Sequence, residues 1–212
     1  PSFLTKVKFS GPRNKTIRNA LGWISVIVCF FITNRTTKGK ENLPKNGPYI
    51  LAPNHISLLD PFVLHSKHNR PTTYLMAEDL EDLGWKELWL PWLYGVLLVN
   101  RKNLKPSTIK TTQKQIEKNE PICIFPEGTS LGEGLKPLKD GAAYLAIKNK
   151  IPIIPVALSG TEKIAPKLKK LQRARVDICF GPPILSTGED TPKTVTTKIE
   201  GALKKMLPEK YQ

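Results

Sequence analysis

Six short β-prone runs constrain this chain more than any other feature: residues 49–52 (YILA), 72–77 (TTYLMA), 95–99 (GVLLV), 122–125 (ICIF), 153–158 (IIPVAL) and 175–180 (RVDICF). Each has strand length, and several are continuously apolar instead of alternating, the pattern of strands covered on both faces. Between them lie stretches of helical length and texture, near 61–68, 79–93, 106–119, 140–149, 163–173 and 193–206. Strand and helix in turn predict an α/β fold, a layered and largely parallel central sheet flanked by helices. Ligands of such sheets gather where the strands end at their carboxyl edge, so the residues just after each run carry the most information.

The chain has 212 residues, enough for one compact domain with a short appendage. Its formal charge of +15 calls for a polyanionic partner, and the placement of that charge helps to choose one. Residues 1–40 hold eight Lys or Arg and no acid, and they flank the most apolar stretch, residues 20–33. Basic flanks around an apolar segment suggest an anionic membrane surface more than nucleic acid. Fourteen uncharged residues would make a helix of about 21 Å, short of the roughly 30 Å hydrocarbon core. The expectation is an embedded or interfacial helix, with Trp23 near the headgroups and Ile27, Phe30 and Phe31 reaching deeper. A core helix is the alternative. The division expected is a basic and apolar amino-terminal segment, 1–37, followed by the α/β domain, 38–212. Three cysteines, Cys29, Cys123 and Cys179, sit in apolar runs without CxxC spacing, which argues for a reducing compartment and against disulfides or a metal site.

Two post-strand loops stand out. The first, Asn54-His55-Ile56-Ser57-Leu58-Leu59-Asp60, follows run 49–52, and Asp60 precedes Pro61 as an N-cap precedes a helix with proline at its first position. Along one continuous helix, residues five apart point about 140° from each other, so His55 and Asp60 meet only if the backbone bends between them. A His–Asp couple would fix one ring tautomer and leave the other nitrogen as a base. A helix cap beside an ordinary loop histidine would leave the same letters. No GxSxG accompanies the pair, so the proton taken would come from a bound alcohol. The second loop, Phe125-Pro126-Glu127-Gly128-Thr129, follows run 122–125, where proline ends pairing and glycine permits close backbone approach. A plain turn could look alike.

In combination and in this order, the two loops resemble the glycerolipid acyltransferases, in particular the bacterial 1-acyl-glycerol-3-phosphate acyltransferases. Residues 54–60 are similar to the HxxxxD block, 95–101 to the block ending in arginine, 125–129 to the third block and 153–158 to the proline-centred fourth. The resemblance covers roughly residues 38–185 and implies acyl transfer from acyl-CoA or acyl-carrier protein to the hydroxyl of a lysophospholipid, with no cofactor, metal or acyl-enzyme. It implies His55 as general base and Asp60 as its partner, with Arg101, Phe125, Pro126, Glu127, Gly128 and Thr129 as acceptor-binding residues. It also implies residence at the cytoplasmic face of the cell membrane, as a monotopic or peripheral protein. Many members place arginine after the third block, whereas this chain has Ser130. Lys136 and Lys139 are close enough along the chain to supply the missing cation, and the departure keeps open another lysolipid as acceptor. The basic stretch 163–175 reads equally as a solvated helix face and as a membrane contact, and it could also meet an acidic carrier protein. A non-catalytic basic binding protein would account for the charge but not for the two loops.

Overall fold

A computed structural model describes residues 14–68, 70–77, 85–99, 106–128 and 134–212. The elements follow the order α1 (Lys15–Ile32), β1 (Thr33–Lys38), β2 (Ile50–Pro53), α2 (Asp60–His65), β3 (Thr73–Ala77), α3 (Trp85–Tyr94) and β4 (Leu97–Val99). They continue with α4 (Pro106–Glu117), β5 (Ile122–Cys123), α5 (Gly141–Asn149), β6 (Ile153–Ser159), α6 (Ile164–Leu168), β7 (Ala174–Phe180) and α7 (Pro192–Met206). The strands form one seven-stranded sheet in the order β1-β7-β6-β2-β5-β3-β4. Only the β6–β7 pairing is antiparallel, so the expected α/β fold with a largely parallel, helix-flanked sheet is what the chain adopts.

Alternation along the central strands divides the core into two layers. Ile50, Ala52, Ile153 and Ala157 point to the face covered by α4, α5 and α7. There α7 contributes Val195, Ile199 and Leu203, spaced one turn apart, after a Thr191–Thr194 capping box with Pro192 at its first position. Leu51, Ile154, Val156 and Leu158 point to the opposite face, where Val63 and Leu64 of α2 and Cys29 of α1 close over them. Each side chain of β2 and β6 is buried, which explains why these runs lack polar alternation.

Strand β1 was not among the expected strands, and it begins within the segment expected to end at residue 37. Its sequence, TNRTTK, carries no apolar run because it lies at the sheet edge, pairing only with β7 and burying only Thr33 fully. Helix α6 stops at Leu168, earlier than residue 173, and the chain continues through turns to β7.

Helix α1 joins β1 directly and packs on α2 and α3. Arg18, Ser25 and Cys29 are its buried residues, and with Gly22 they form a stripe at helical spacing. At Gly22 an added Cβ would stand 2.7 Å from His65 Nε2, so glycine sets how closely α1 approaches α2. Arg18 holds the other end: Nη1 pairs with Glu120 at 3.0 Å, Nη2 donates to the Thr72 carbonyl at 2.8 Å, and the guanidinium lies 5.2 Å from the Tyr94 ring centroid. The outward stripe is apolar: Trp23, Ile24, Ile27, Val28, Phe30 and Phe31 are all exposed. By length and composition α1 is the one helix among the described residues able to cross a membrane, with only 17% of it buried.

Truncating Arg18 removes the guanidinium from the half-buried Glu120, which keeps Thr73 Oγ1 at 2.8 Å, and takes the Arg18 donor from the Thr72 carbonyl beneath α1. Arg18→Ala is expected to lower unfolding stability by about 1.5–3 kcal/mol, the range for losing hydrogen bonds made by a charged group, since Arg18 is buried but Glu120 keeps 22% of its side chain open. Chemical denaturation of both proteins in the same detergent checks this, and a loss below about 0.5 kcal/mol would show that the pair is solvated.

Candidate active site

Strand β2 ends at Pro53, and Asn54 prolongs its pairing with a side chain. Asn54 Oδ1 accepts from Leu158 N at 2.7 Å, and Nδ2 donates to Leu158 O at 3.0 Å, so the amide imitates one more strand residue beside β6. From this anchor the loop turns back on itself. Asp60 Oδ2 accepts from Ile56 N and Ser57 N, both at 2.8 Å, and from His55 Nδ1 at 2.9 Å. Asp60 Oδ1 accepts from Thr161 Oγ1 at 2.5 Å. Here lies the bend required to bring His55 and Asp60 together. The expected capping role takes a different form: Asp60 is the first residue of α2, Leu59 occupies the cap, and the carboxylate reaches backwards to the loop amides.

Asp60 is fully buried, whereas the His55 side chain keeps 15% of its surface open. A carboxylate at Nδ1 selects the tautomer protonated there and leaves the Nε2 lone pair available. Among the described residues, no protein group bonds to Nε2. The ring lies against Phe125, with centroids 4.1 Å apart and planes inclined by 31°. Ser57 Oγ accepts from Leu59 N at 3.2 Å, which turns it to a local role.

The loop after β5 braces this arrangement. Glu127 is buried, and its two oxygens accept from His55 N at 2.7 Å and Lys136 N at 3.0 Å. Burial pushes its carboxyl up from the usual range, opposed by those two N–H donors and by the nearby His55 and Lys136 charges. Glu127 therefore ties the histidine loop to the 134–139 segment, while Pro126 O accepts from Lys139 N at 2.8 Å. At Gly128, φ is +67° and an added Cβ would meet the Lys139 side chain at 3.1–3.2 Å. Glycine thus lets the Lys139 stem lie across this turn, with its ammonium at the same edge as His55.

Phe125 and Glu127 therefore touch His55 directly, Lys136 joins through Glu127, and Pro126, Gly128 and Lys139 pack together on the adjoining turn. Arg101, Thr129 and Ser130 lie outside the described residues. Trp23, Ile27, Phe30 and Phe31 stand apart, on the outer face of α1. Sequence reasoning missed Thr161 altogether, and it placed Asn54 in the first loop without its anchoring role on Leu158. Thr161 had a legible signal, since it follows β6 as His55 follows β2. Gly160, at φ +83°, makes the turn in a space where a Cβ would stand 2.2 Å from Arg175 O.

The Glu127 brace needs two acceptor oxygens facing two N–H groups. Glu127→Gln turns one acceptor into a donor against a buried amide, so a stability loss of about 1–3 kcal/mol is expected, the cost of an unsatisfied buried donor. Thermal unfolding and an assay of the variant check this, with turnover expected to fall alongside because the His55 backbone is released.

Comparison with known proteins follows the same outline. The model of the acyltransferase family matches residues 34–159, more than half of the chain, and this interval contains His55, Asp60 and Glu127. A probable 1-acyl-sn-glycerol-3-phosphate acyltransferase of Mycoplasma pneumoniae is 30% identical over 151 residues, covering 65% of this chain and 53% of that protein. The 1-acyl-sn-glycerol-3-phosphate acyltransferase of Bacillus subtilis is 29% identical over 154 residues, covering 68% and 71%. The human 1-acyl-sn-glycerol-3-phosphate acyltransferase beta is 30% identical over 154 residues, covering 68% and 54%. The chain thus spans only about half the length of some of the curated relatives that it matches. The crystal structure of the 1-acyl-sn-glycerophosphate acyltransferase PlsC from Thermotoga maritima superposes with a TM-score of 0.71 at 18% identity, covering 91% of this chain and 78% of that one, which establishes the common fold. With the HxxxxD loop meeting Phe125 and Glu127 at one sheet edge and a family match across residues 34–159, the chain belongs to the acyltransferase family.

Proposed function

We propose that the protein transfers a fatty acyl group from an acyl thioester, acyl-CoA or acyl-carrier protein, to the free hydroxyl of 1-acyl-glycerol-3-phosphate, forming phosphatidic acid. The observation that carries this reading is the buried Asp60 carboxylate on Nδ1 of a partly open His55, with Nε2 turned to no protein partner among the described residues. The names of the relatives support the acceptor.

The reaction proceeds by direct transfer. His55 Nε2 takes the proton of the acceptor hydroxyl as its oxygen attacks the thioester carbonyl carbon, and Asp60 stabilises the imidazolium that forms. The resulting tetrahedral adduct collapses with cleavage of the carbon–sulfur bond, and the imidazolium proton passes to the departing thiolate. Acyl group and proton both balance, so neither a resident cofactor nor a metal is required. A positioned base of this kind contributes about 10²–10⁴ in rate. Phe125 limits rotation of the imidazole, and Glu127 holds the backbone from which it projects.

Phosphate recognition falls to Lys139 and to Arg101. Lys139 is exposed, and its stem is supported by Gly128 at the same sheet edge. Arg101 enters through its position in the matched arginine block, where a guanidinium can clamp two phosphate oxygens. Ser130, where many members carry arginine, favours a second reading in which the acceptor is another lysolipid, for example a lyso-aminolipid.

The enzyme works at a membrane surface as a monotopic protein. Helix α1 supports this because it is bound along one side to α2 and α3 while the other side presents Trp23, Ile27, Phe30 and Phe31. Its 18 residues span about 27 Å, but a helix packed lengthwise on a water-soluble layer lies more easily along the interface than across it. The cytoplasmic face of the cell membrane, where acyl-CoA and acyl-carrier protein reside, is the side proposed.

Incubation with lysophosphatidic acid and labelled acyl-CoA or acyl-carrier protein tests the chemistry. Transfer by the parent and loss of at least about 10²-fold in folded His55→Ala are expected; equal turnover by the two removes His55 from the mechanism. Lys139→Met keeps the stem and deletes the charge, so it is expected to raise KM for lysophosphatidic acid with little change in kcat. A neutral lysolipid used better than lysophosphatidic acid by the parent would favour the second reading.

A further inference from the structure

The turn between α6 and β7 has no place in the chemistry, yet it is the most exposed basic segment among the described residues. Every residue from 165 to 173 is exposed. Lys167, Lys169, Lys170 and Arg173 project from this stretch without an acid between them, and Leu168 and Leu171 stand among them. Leu171 is 95% exposed and has φ 54°, the left-handed region, where glycine or asparagine would sit with less strain. Water gives a leucine no reason to occupy that position.

Sheet topology places the turn beside both the site and α1. Strand β6 ends at the carboxyl edge with Ser159, and the next turn delivers Thr161 to Asp60. Because β7 runs antiparallel to β6, its first residue, Ala174, returns to that same edge. Strand β1 pairs in parallel with β7, Thr33 opposite Ala174, so the carboxyl end of α1 arrives there too. Arg173 joins the two: Nη2 donates to Phe30 O at 2.5 Å and to Thr33 O at 2.6 Å, and its guanidinium lies 5.6 Å from the Phe30 ring centroid. The apolar outer face of α1 is therefore continuous with the 165–173 turn.

From this continuity we propose that the 165–173 turn is a second membrane-docking element, with Leu168 and Leu171 inserted among acyl chains and Lys167, Lys169 and Lys170 against anionic headgroups. An exposed leucine pair ringed by lysines complements the apolar–anionic boundary of a bilayer. An acidic carrier protein would answer the lysines alone. With α1, the turn gives two separate points of contact on the catalytic edge, which turns His55 towards the surface holding the acceptor. The inference rests on the membrane attachment proposed for α1 and not on the identity of the acceptor.

Flotation of the full chain with vesicles of phosphatidylcholine alone, or mixed with phosphatidylglycerol, tests the turn. Leu171→Asn suits the left-handed backbone and is expected to keep thermal stability and turnover of detergent-dispersed acceptor while lowering vesicle partition roughly tenfold, the value of one buried leucine. Lys169→Glu with Lys170→Glu is expected to lower partition by at least roughly tenfold on anionic vesicles only, with the difference shrinking in high salt. The matching change on α7, Lys193→Glu with Lys205→Glu, is expected to do less. Unchanged partition of both turn variants overturns the proposal, as does normal partition with a raised KM for acyl-carrier protein, which assigns the surface to that donor. Ile27→Ser with Phe31→Ser reports separately on α1: if it too leaves flotation unchanged, membrane attachment itself fails.

Discussion

The site depends on one buried carboxylate finding enough donors. Asp60 has no exposed surface, and a charge so placed costs several kcal/mol unless hydrogen bonds replace its water. Four donors do so, from His55, Ile56, Ser57 and Thr161. Three come from the loop after β2 and one from the turn after β6, so the carboxylate joins the ends of two neighbouring strands. Its capacity to orient imidazole is inseparable from its structural task, because the same oxygen that meets Nδ1 also holds the loop amides. Exchange of Asp60 for a neutral residue would therefore disturb fold and chemistry together, whereas exchange of His55 touches the exposed end of the network.

Helix α1 reverses the usual amphipathic arrangement. Its inward stripe carries an arginine, a glycine, a serine and a cysteine, and its outward stripe carries tryptophan, phenylalanine and isoleucine. Polar anchors suit a helix that must be held at a chosen rotation, since the Arg18–Glu120 pair and the Gly22–His65 approach each have one acceptable register. Burial of apolar area, being non-directional, would tolerate several.

Most of the layered architecture was legible because β2, β5 and β6 are covered on both faces and so must be written almost entirely in apolar letters. Strand β1 was not, since TNRTTK at an edge needs only backbone pairing with β7 and one buried threonine. The His55–Asp60 meeting was legible only as one of two readings. Pro61 marks a helix start that leaves room for a bend, but a plain cap would carry the same letters, and the resemblance of the two loops decided between them. The support of the pair was not legible: Thr161 lies 101 residues from Asp60, and Glu127 lies 72 from His55. No local spacing rule reaches across such intervals. The position of Asp60 inside α2 also shows how a residue with capping chemistry can serve the preceding loop instead of the helix that follows.

The single reversed pairing in the sheet has a wider effect than its four register positions suggest. Had β7 followed β6 in the same direction, the junction of α1 with β1 would have emerged at the far rim, opposite His55. Inversion of one strand acts as a hinge in the chain's itinerary and brings segments about 140 residues apart to a common shoreline. Loops along that rim can then lengthen or change composition without passing through the packed layers, leaving the reactive geometry insulated from whatever the outer margin must recognise.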